Sequence, residues 1–210
     1  MPSNLAFIDF ETTGLSPESG DRIIEVGIAI LSGGRIVDRY QSFINPQARI
    51  PGAVVALTGI DEAMVHRAPG AAQVMPDVLK FVGDLPLVAH NASFDKRFMD
   101  SELRRISRPR TNEFICSLRV ARRVYPAAAN HKLVTLIRLA GVQPAEQYHR
   151  ALGDAEMTAR LWVRMVEDIE QTHGVSGVKL AQMQALQTCR VDGAAELFKA
   201  SGTISSARTA

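Results

Sequence analysis

Cysteine is nearly absent. Cys116 and Cys189 are the chain's two, far apart and without metal-binding spacing. A disulfide framework and a zinc cluster are therefore excluded, and a reducing cytoplasm fits. No run of ~18 apolar residues occurs, so no membrane span is expected. Met1-Pro2-Ser3-Asn4 puts no basic stretch before an apolar run, so a secretory signal is not expected. No glycine-rich phosphate loop followed by Lys is present, which disfavours an NTPase. No Ser or Cys stands in a nucleophile arrangement. What remains is 210 residues with 46% hydrophobic and 22% charged content, a composition that excludes global disorder. This length suits one domain with an appendage.

The net charge is only +2, but it is unevenly spread. Residues 96–138 carry eleven Lys and Arg against three Asp and Glu, whereas the regions on either side are acidic or nearly balanced. A basic centre suits a polyanion held beside a carboxylate-bound metal, or equally the solvated faces of helices.

The hydrophobic pattern predicts strands at 4–10, 22–31 and 35–44, with Ser32-Gly33-Gly34 as a hairpin turn. Further short strands are expected at 85–89 and 114–117. Helical spacing follows at 70–82, 93–106, 118–125, 132–140 and 151–171. An antiparallel meander followed by interleaved helices predicts an α/β layer fold with a mixed sheet. Residues 1–171 would form the domain and 172–210 a helical or flexible appendage, with weak helical patterns at 178–187 and 192–199. Gln182 to Leu186 (QMQAL) reads either as a clamp-binding pentapeptide or as a Gln-rich helix.

Three strings carry the chemistry. In Ile8-Asp9-Phe10-Glu11-Thr12-Thr13-Gly14, Asp9 and Glu11 are two apart on a strand and share a face. Two carboxylates on a buried strand need a positive partner, and a divalent cation is the economical one. His90-Asn91-Ala92-Ser93-Phe94-Asp95 follows a strand and opens a helix, with Asn91 or Ser93 as its cap. His149-Arg150-Ala151-Leu152-Gly153-Asp154 leads into the long helix. Four acids and one His from three segments have a single joint reading. Two Mg²⁺ (or Mn²⁺) ions would neutralise Asp9, Glu11, Asp95 and Asp154 and clamp a phosphodiester for attack by water. Neutral His149 could act as the base.

Over about residues 4–170 the sequence resembles the DEDDh group of the DnaQ-like 3′→5′ exonucleases. Within that group it especially resembles the proofreading (epsilon) subunits of bacterial DNA polymerase III. DFETTGL, HNASFD and HRALGDA stand in the family order. The resemblance implies a ribonuclease-H-like fold with a five-stranded mixed sheet flanked by helices. It implies that Asp9, Glu11 and Asp154 ligate metal, with Asp9 bridging, and that Asp95 completes the second metal's shell. His149 would take the proton from the attacking water. Thr12 and Thr13 would contact the terminal nucleotide, and Phe94 its sugar or base. Leu57 and Thr58 fall in a substrate-facing loop, where Leu57 would wedge between the last two bases. For Phe94 and Leu57, core packing is the alternative. Cys116-Ser117-Leu118 departs from the family, where many relatives carry Asp before Ser or Thr.

The expected substrate is the 3′ end of single-stranded or frayed DNA. An exoribonuclease on the same site and an inactive binding module are the alternatives. A DNA polymerase catalytic subunit or a sliding clamp is the expected partner, with no membrane involvement.

Overall fold

The computed structural model describes residues 4–144, 150–190 and 193–202, with 199–202 by backbone alone. Its frame is a five-stranded mixed sheet. β1 (Leu5–Thr12), β2 (Ile23–Ser32) and β3 (Arg35–Phe43) form the antiparallel meander, turned by Gly33 and Gly34, both at positive φ. β4 (Leu87–Ala89) runs parallel to β1, and β5 (Phe114–Cys116) parallel to β4. The order across the sheet is β3-β2-β1-β4-β5. β1 runs two residues beyond the predicted end, so Asp9 and Glu11 both lie inside it.

Alternation along β1 sends its side chains to two cores. Leu5 and Phe7 pack under α7 (Ala151–His173), where Phe7 meets Trp162 edge to face at 6.1 Å. Ala6, Ile8 and Phe10 pack on the opposite face with α3 (Ala71–Val82) and α4 (Ser93–Arg105). Asp9 and Glu11 continue the Leu5–Phe7 row, so they emerge on the α7 face as the apolar row ends. Burial on both faces explains why β1 and β2 read as near-continuous apolar runs.

Two short helices were not foreseen. α1 (Gly52–Thr58) and α2 (Glu62–Val65) occupy the stretch expected as a substrate-facing loop. Neither spans two full turns, so neither leaves a helical period in the sequence. α1 ends where Gly59, at φ 70°, donates its N–H to the Val55 carbonyl. The pair seats a small third core of Ile24, Ile50, Ile60 and Val65.

α5 (Ser117–Val124) and α6 (Leu133–Leu139) join the α7 side. So do α8 (Leu180–Leu186) and α9 (Ala194–Gly202) from the C-terminal segment. Val178, Met183, Leu186 and Phe198 are buried in the same core, and His173 stacks on Phe198 at 5.0 Å. The Gln187 amide oxygen accepts the Cys116 N–H at 2.7 Å, closing part of the β5 edge. QMQAL is therefore a helix whose Met183 and Leu186 face inward, and it does not present a clamp-binding pentapeptide. Residues 203–210 lie outside the described residues, as does His149.

Candidate active site

The site forms at the carboxyl end of the parallel strands, where α/β sheets place ligands. β1 supplies Asp9 and Glu11, and the first turn of α7 supplies Asp154. One carboxylate oxygen from each lies within 4.8 Å of the others. Asp95 enters from the first turn of α4. It is 2% exposed, and its Oδ1 has no hydrogen-bond partner.

These acids are held in an unfavourable state. Burial raises the Asp9 carboxyl well above its ordinary range, and Asp95, Asp154, Glu11 and Glu25 push it the same way. Burial, then Asp154 and Glu25, lifts Glu11 to about 8, with Arg150 opposing. Burial lifts Asp95 to about 7, although backbone N–H groups favour its charged form. Native structures do not leave such a group uncompensated. A buried Asp95 oxygen without a partner, on a carboxyl that repels Asp9, fits a divalent cation nearby, and the donor set is oxygen-only, as Mg²⁺ and Mn²⁺ prefer.

The seat of α7 is a device that the sequence strings did not reveal. Glu25 on β2 is the cross-strand partner of Glu11 and is fully buried. Its carboxylate accepts from Arg150 Nη2 at 2.7 Å, from Gln41 Nε2 at 2.8 Å and from the Ala151 N–H at 3.1 Å. α7 has no side-chain cap of its own, so Glu25 caps it from another strand. Two residues on, Gly27 pairs with Asp9. A Cβ on Gly27 would sit 2.0 Å from the Leu152 nitrogen and 2.1 Å from the Ala151 carbonyl carbon. Helix backbone thus lies directly on strand backbone, one turn before Asp154. The signal was present as a charged residue and a glycine inside an otherwise apolar strand.

The remaining expected residues divide. The Thr12 hydroxyl donates to the Gly14 carbonyl at 2.6 Å, and Thr13 Oγ1 accepts the Arg22 N–H at 2.9 Å. The Thr58 hydroxyl donates to the Val54 carbonyl at 2.9 Å and accepts the Ile60 N–H at 3.1 Å. All three hydroxyls shape the chain locally. Leu57 is 58% exposed, so it is not a core residue. Phe94 is half-buried, packed against the core under α3 and α4 and 4.8 Å from Phe98. Neither Asn91 nor Ser93 caps α4. Ala92 holds the cap position with no side-chain bond, and Asn91 turns the chain at φ 77°. His90 is occupied structurally, through Nδ1 with Ser117 Oγ and through Nε2 with the His131 carbonyl, both at 2.9 Å. Burial holds it below the usual histidine range, as a neutral tie.

Comparison with known proteins agrees with this geometry. The exonuclease family RNase_T matches residues 6–162. The chain is 39% identical over 171 residues to a DNA polymerase III PolC-type of Caldanaerobacter subterraneus subsp. tengcongensis, covering 81% of this chain and 12% of that protein. It is 36% identical over 188 residues to the PolC-type of Bacillus subtilis, covering 87% and 13%. The chain thus spans about an eighth of those relatives' length. Exonuclease X, solved in complex with 5′ overhanging duplex DNA, superposes with a TM-score of 0.68 at 30% identity, covering 87% of this chain and 99% of that one. The nuclease domain of 3′hExo, a DEDDh family member bound to rAMP, shares the fold with a TM-score of 0.69 at 24% identity, covering 79% and 92%. The chain belongs to the exonuclease family. It is a DnaQ-like exonuclease domain on the ribonuclease-H-like fold.

Proposed function

We propose that the chain shortens DNA from single-stranded or frayed 3′ ends and releases 5′-mononucleotides. The observation that carries this is the convergence of Asp9, Glu11 and Asp154 beside buried Asp95, whose Oδ1 has no partner. Asp9, Glu11 and Asp154 would hold the cations, and Asp95 would complete the set. Bound there, two Mg²⁺ (or Mn²⁺) ions would supply the positive charge that a phosphodiester needs for in-line attack by water. His149 would take the proton from that water; its neighbour Arg150 is tied to Glu25. Leu57 and Phe94 would press on the terminal nucleotides with apolar surface. Thr12, Thr13 and Thr58 would act through backbone and shape, since their hydroxyls are engaged within the fold.

DNA is favoured over RNA by the PolC-type relatives and by the exonuclease X complex. Those same relatives support a polymerase catalytic subunit as partner, a proofreading role and a cytoplasmic setting. No helix among the described residues is long and apolar enough to cross a membrane. Residues 1–171 are the catalytic unit in this reading, with 172–210 an appendage to the chemistry.

Matched 5′-labelled single-stranded DNA and RNA, incubated with Mg²⁺, Mn²⁺ or EDTA, test the reading. The expected result is a DNA ladder shortened from the 3′ end, absent in EDTA and in Asp9→Ala. A mismatched 3′ end should be cut faster than a matched one, because unpairing costs a few kcal/mol. Activity surviving EDTA would overturn the metal reading. A large excess of RNA cleavage would make the enzyme an exoribonuclease, and inactivity on both would make it a binding module.

A further inference from the structure

The outer face of α4 and the loop after it hold a cluster of cations that the site does not use. α4 turns Asp95, Phe98, Met99, Glu102 and Leu103 inward. The opposite side exposes Lys96, Arg97, Arg104 and Arg105, and the chain continues to exposed Arg108. A groove of about 580 Å³ runs along this side, with Lys96, Arg104 and Arg108 on its walls. A second depression, of about 400 Å³, shares Asp100 and Arg104 and reaches Arg97 and Arg105. Arg110 is spoken for by Asp100 at 2.7 Å, and Arg97 reaches Glu18 only at 3.8 Å. Lys96, Arg104 and Arg108 make no side-chain hydrogen bond or ion pair with the rest of the described chain.

The exposed side of α7 is the internal control. There Arg160 pairs with Glu156 at 2.6 Å and Arg164 with Asp168 at 2.9 Å, each at i,i+4 spacing. On that face the arginines are neutralised by the helix's own acids. On the α4 face Arg105 reaches Glu102 only at 3.8 Å while Lys96 and Arg104 have no acid partner among the described residues, and the face starts one residue after a carboxylate of the site. Lys96 and Arg104 lie about 12 Å apart along the helix at 1.5 Å per residue. A line of cations leading away from the site matches a linear polyanion whose end is in the site. A protein partner would need apolar anchors at the centre of its patch. The large exposed hydrophobics of the described chain are Leu15, Val37, Leu57, Met64 and Leu139, and none lines the groove.

We propose that the groove along α4 holds the sugar-phosphate backbone of the substrate upstream of its reacting 3′ end. This rests on the exonuclease reading and extends it from the end of the strand to its body. The test compares the full chain with the double variants Arg104→Gln/Arg108→Gln and Arg104→Glu/Arg108→Glu. Substrates are a DNA trinucleotide and a 30-mer, with thermal unfolding measured alongside. The expected result is unchanged turnover of the trinucleotide and a KM for the 30-mer raised at least tenfold in the Glu pair. The salt slope of kcat/KM for the 30-mer should fall by about 0.7 per lost phosphate contact in the Gln pair. An equal loss on both substrates, or no change on the 30-mer, overturns the groove. Loss of poly-glutamate binding with the 30-mer untouched also overturns it, and assigns the face to an acidic protein. Inactivity of the wild-type chain on both substrates would instead be the failure of the exonuclease reading.

Discussion

α4 and α7 each bring one carboxylate into the same site from their first turn, yet they are fastened in opposite ways. On α4 the anchor is a helix acid held by a sheet-side cation. Glu102, nearly buried, receives Arg22 Nε at 2.6 Å and Nη2 at 2.9 Å. On α7 the anchor is a sheet acid holding a helix-side cation, Glu25 with Arg150. The α4 anchor lies seven residues beyond Asp95, about 10 Å along the helix. The α7 anchor lies at the helix start, one turn before Asp154. One clamp therefore secures the helix as a body, and the other sets the position of the acid itself. Asp154, on a surface partly open to solvent, needs that local control. Asp95 is fixed by burial, and its unpartnered oxygen is the consequence.

The largest effect should come from the backbone contact under α7. In Gly27→Val the new carbons would meet helix main chain, which has no flexible end to move aside. The first turn of α7 must lift, carrying Asp154 away from Asp9. Stability should fall by about 3 kcal/mol, and turnover by more than a hundredfold. Denaturant unfolding and the DNA assay read the two losses. A variant with wild-type turnover would show that the seat of α7 does not set the site.

Asp95→Asn should separate function from stability on the other helix. Turnover should drop by more than about a hundredfold, beyond the range for losing a mere partner of a ligand. In EDTA at pH 8 the variant should melt above the wild type, because a buried charge has been removed. A lower melting temperature would mean that Asp95 is a structural acid.

Much of this was legible before any coordinates. The apolar runs of β1 and β2 are long and bounded by Gly and Pro, so strand and hairpin followed directly. The D-x-E pair on one strand, with single acids opening two helices, was enough to name four carboxylates. α1 and α2 left no trace, since seven and four residues cannot show a helical period. The clamp on α7 was hidden for a different reason. Glu25 and Arg150 are 125 residues apart, and nothing local to either says they meet. The bonds of the three threonine hydroxyls were not legible either, because turns and helix ends claim such hydroxyls through partners that the resemblance does not specify. The basic stretch 96–138 likewise mixes roles. Arg123 binds the Cys189 carbonyl and Arg110 binds Asp100, while Lys96, Arg104 and Arg108 along the α4 groove stay uncommitted.

The paired variants Glu25→Gln and Glu102→Gln sharpen the contrast between the two clamps. Each leaves an arginine without its charged partner, and both arginines keep some solvent contact. Each should lower stability by about 2 kcal/mol, below the range for a fully buried pair. Only Glu25→Gln should also cut turnover, by about ten- to a hundredfold. Glu25→Asp should lose less turnover than Glu25→Gln, since it keeps the carboxylate on a shorter stem. Equal turnover losses in the two variants would erase the distinction between fastening a helix and placing its acid.

The smallest effect, and the one that tests the shared site, is the pH dependence of stability without metal. Unfolded carboxyls titrate near 4. In the fold Asp95 is lifted to about 7 and Glu11 to about 8, in both cases chiefly by burial. The native state thus keeps protons that the unfolded chain has released. The contribution is fully present below about pH 4 and is lost as pH rises through 7 and 8. In EDTA the melting temperature should therefore decline from pH 5 to pH 9, opposite to the usual behaviour of salt-bridged acids. Added Mn²⁺ or Mg²⁺ should restore it most at the alkaline end, where the ligands are charged and repel one another. Asp95→Asn should remove the part of the decline centred near 7 and leave the part near 8. A melting temperature that rises over this range in EDTA would mean that the carboxylates are compensated by groups within the protein, and that the site does not require a cation.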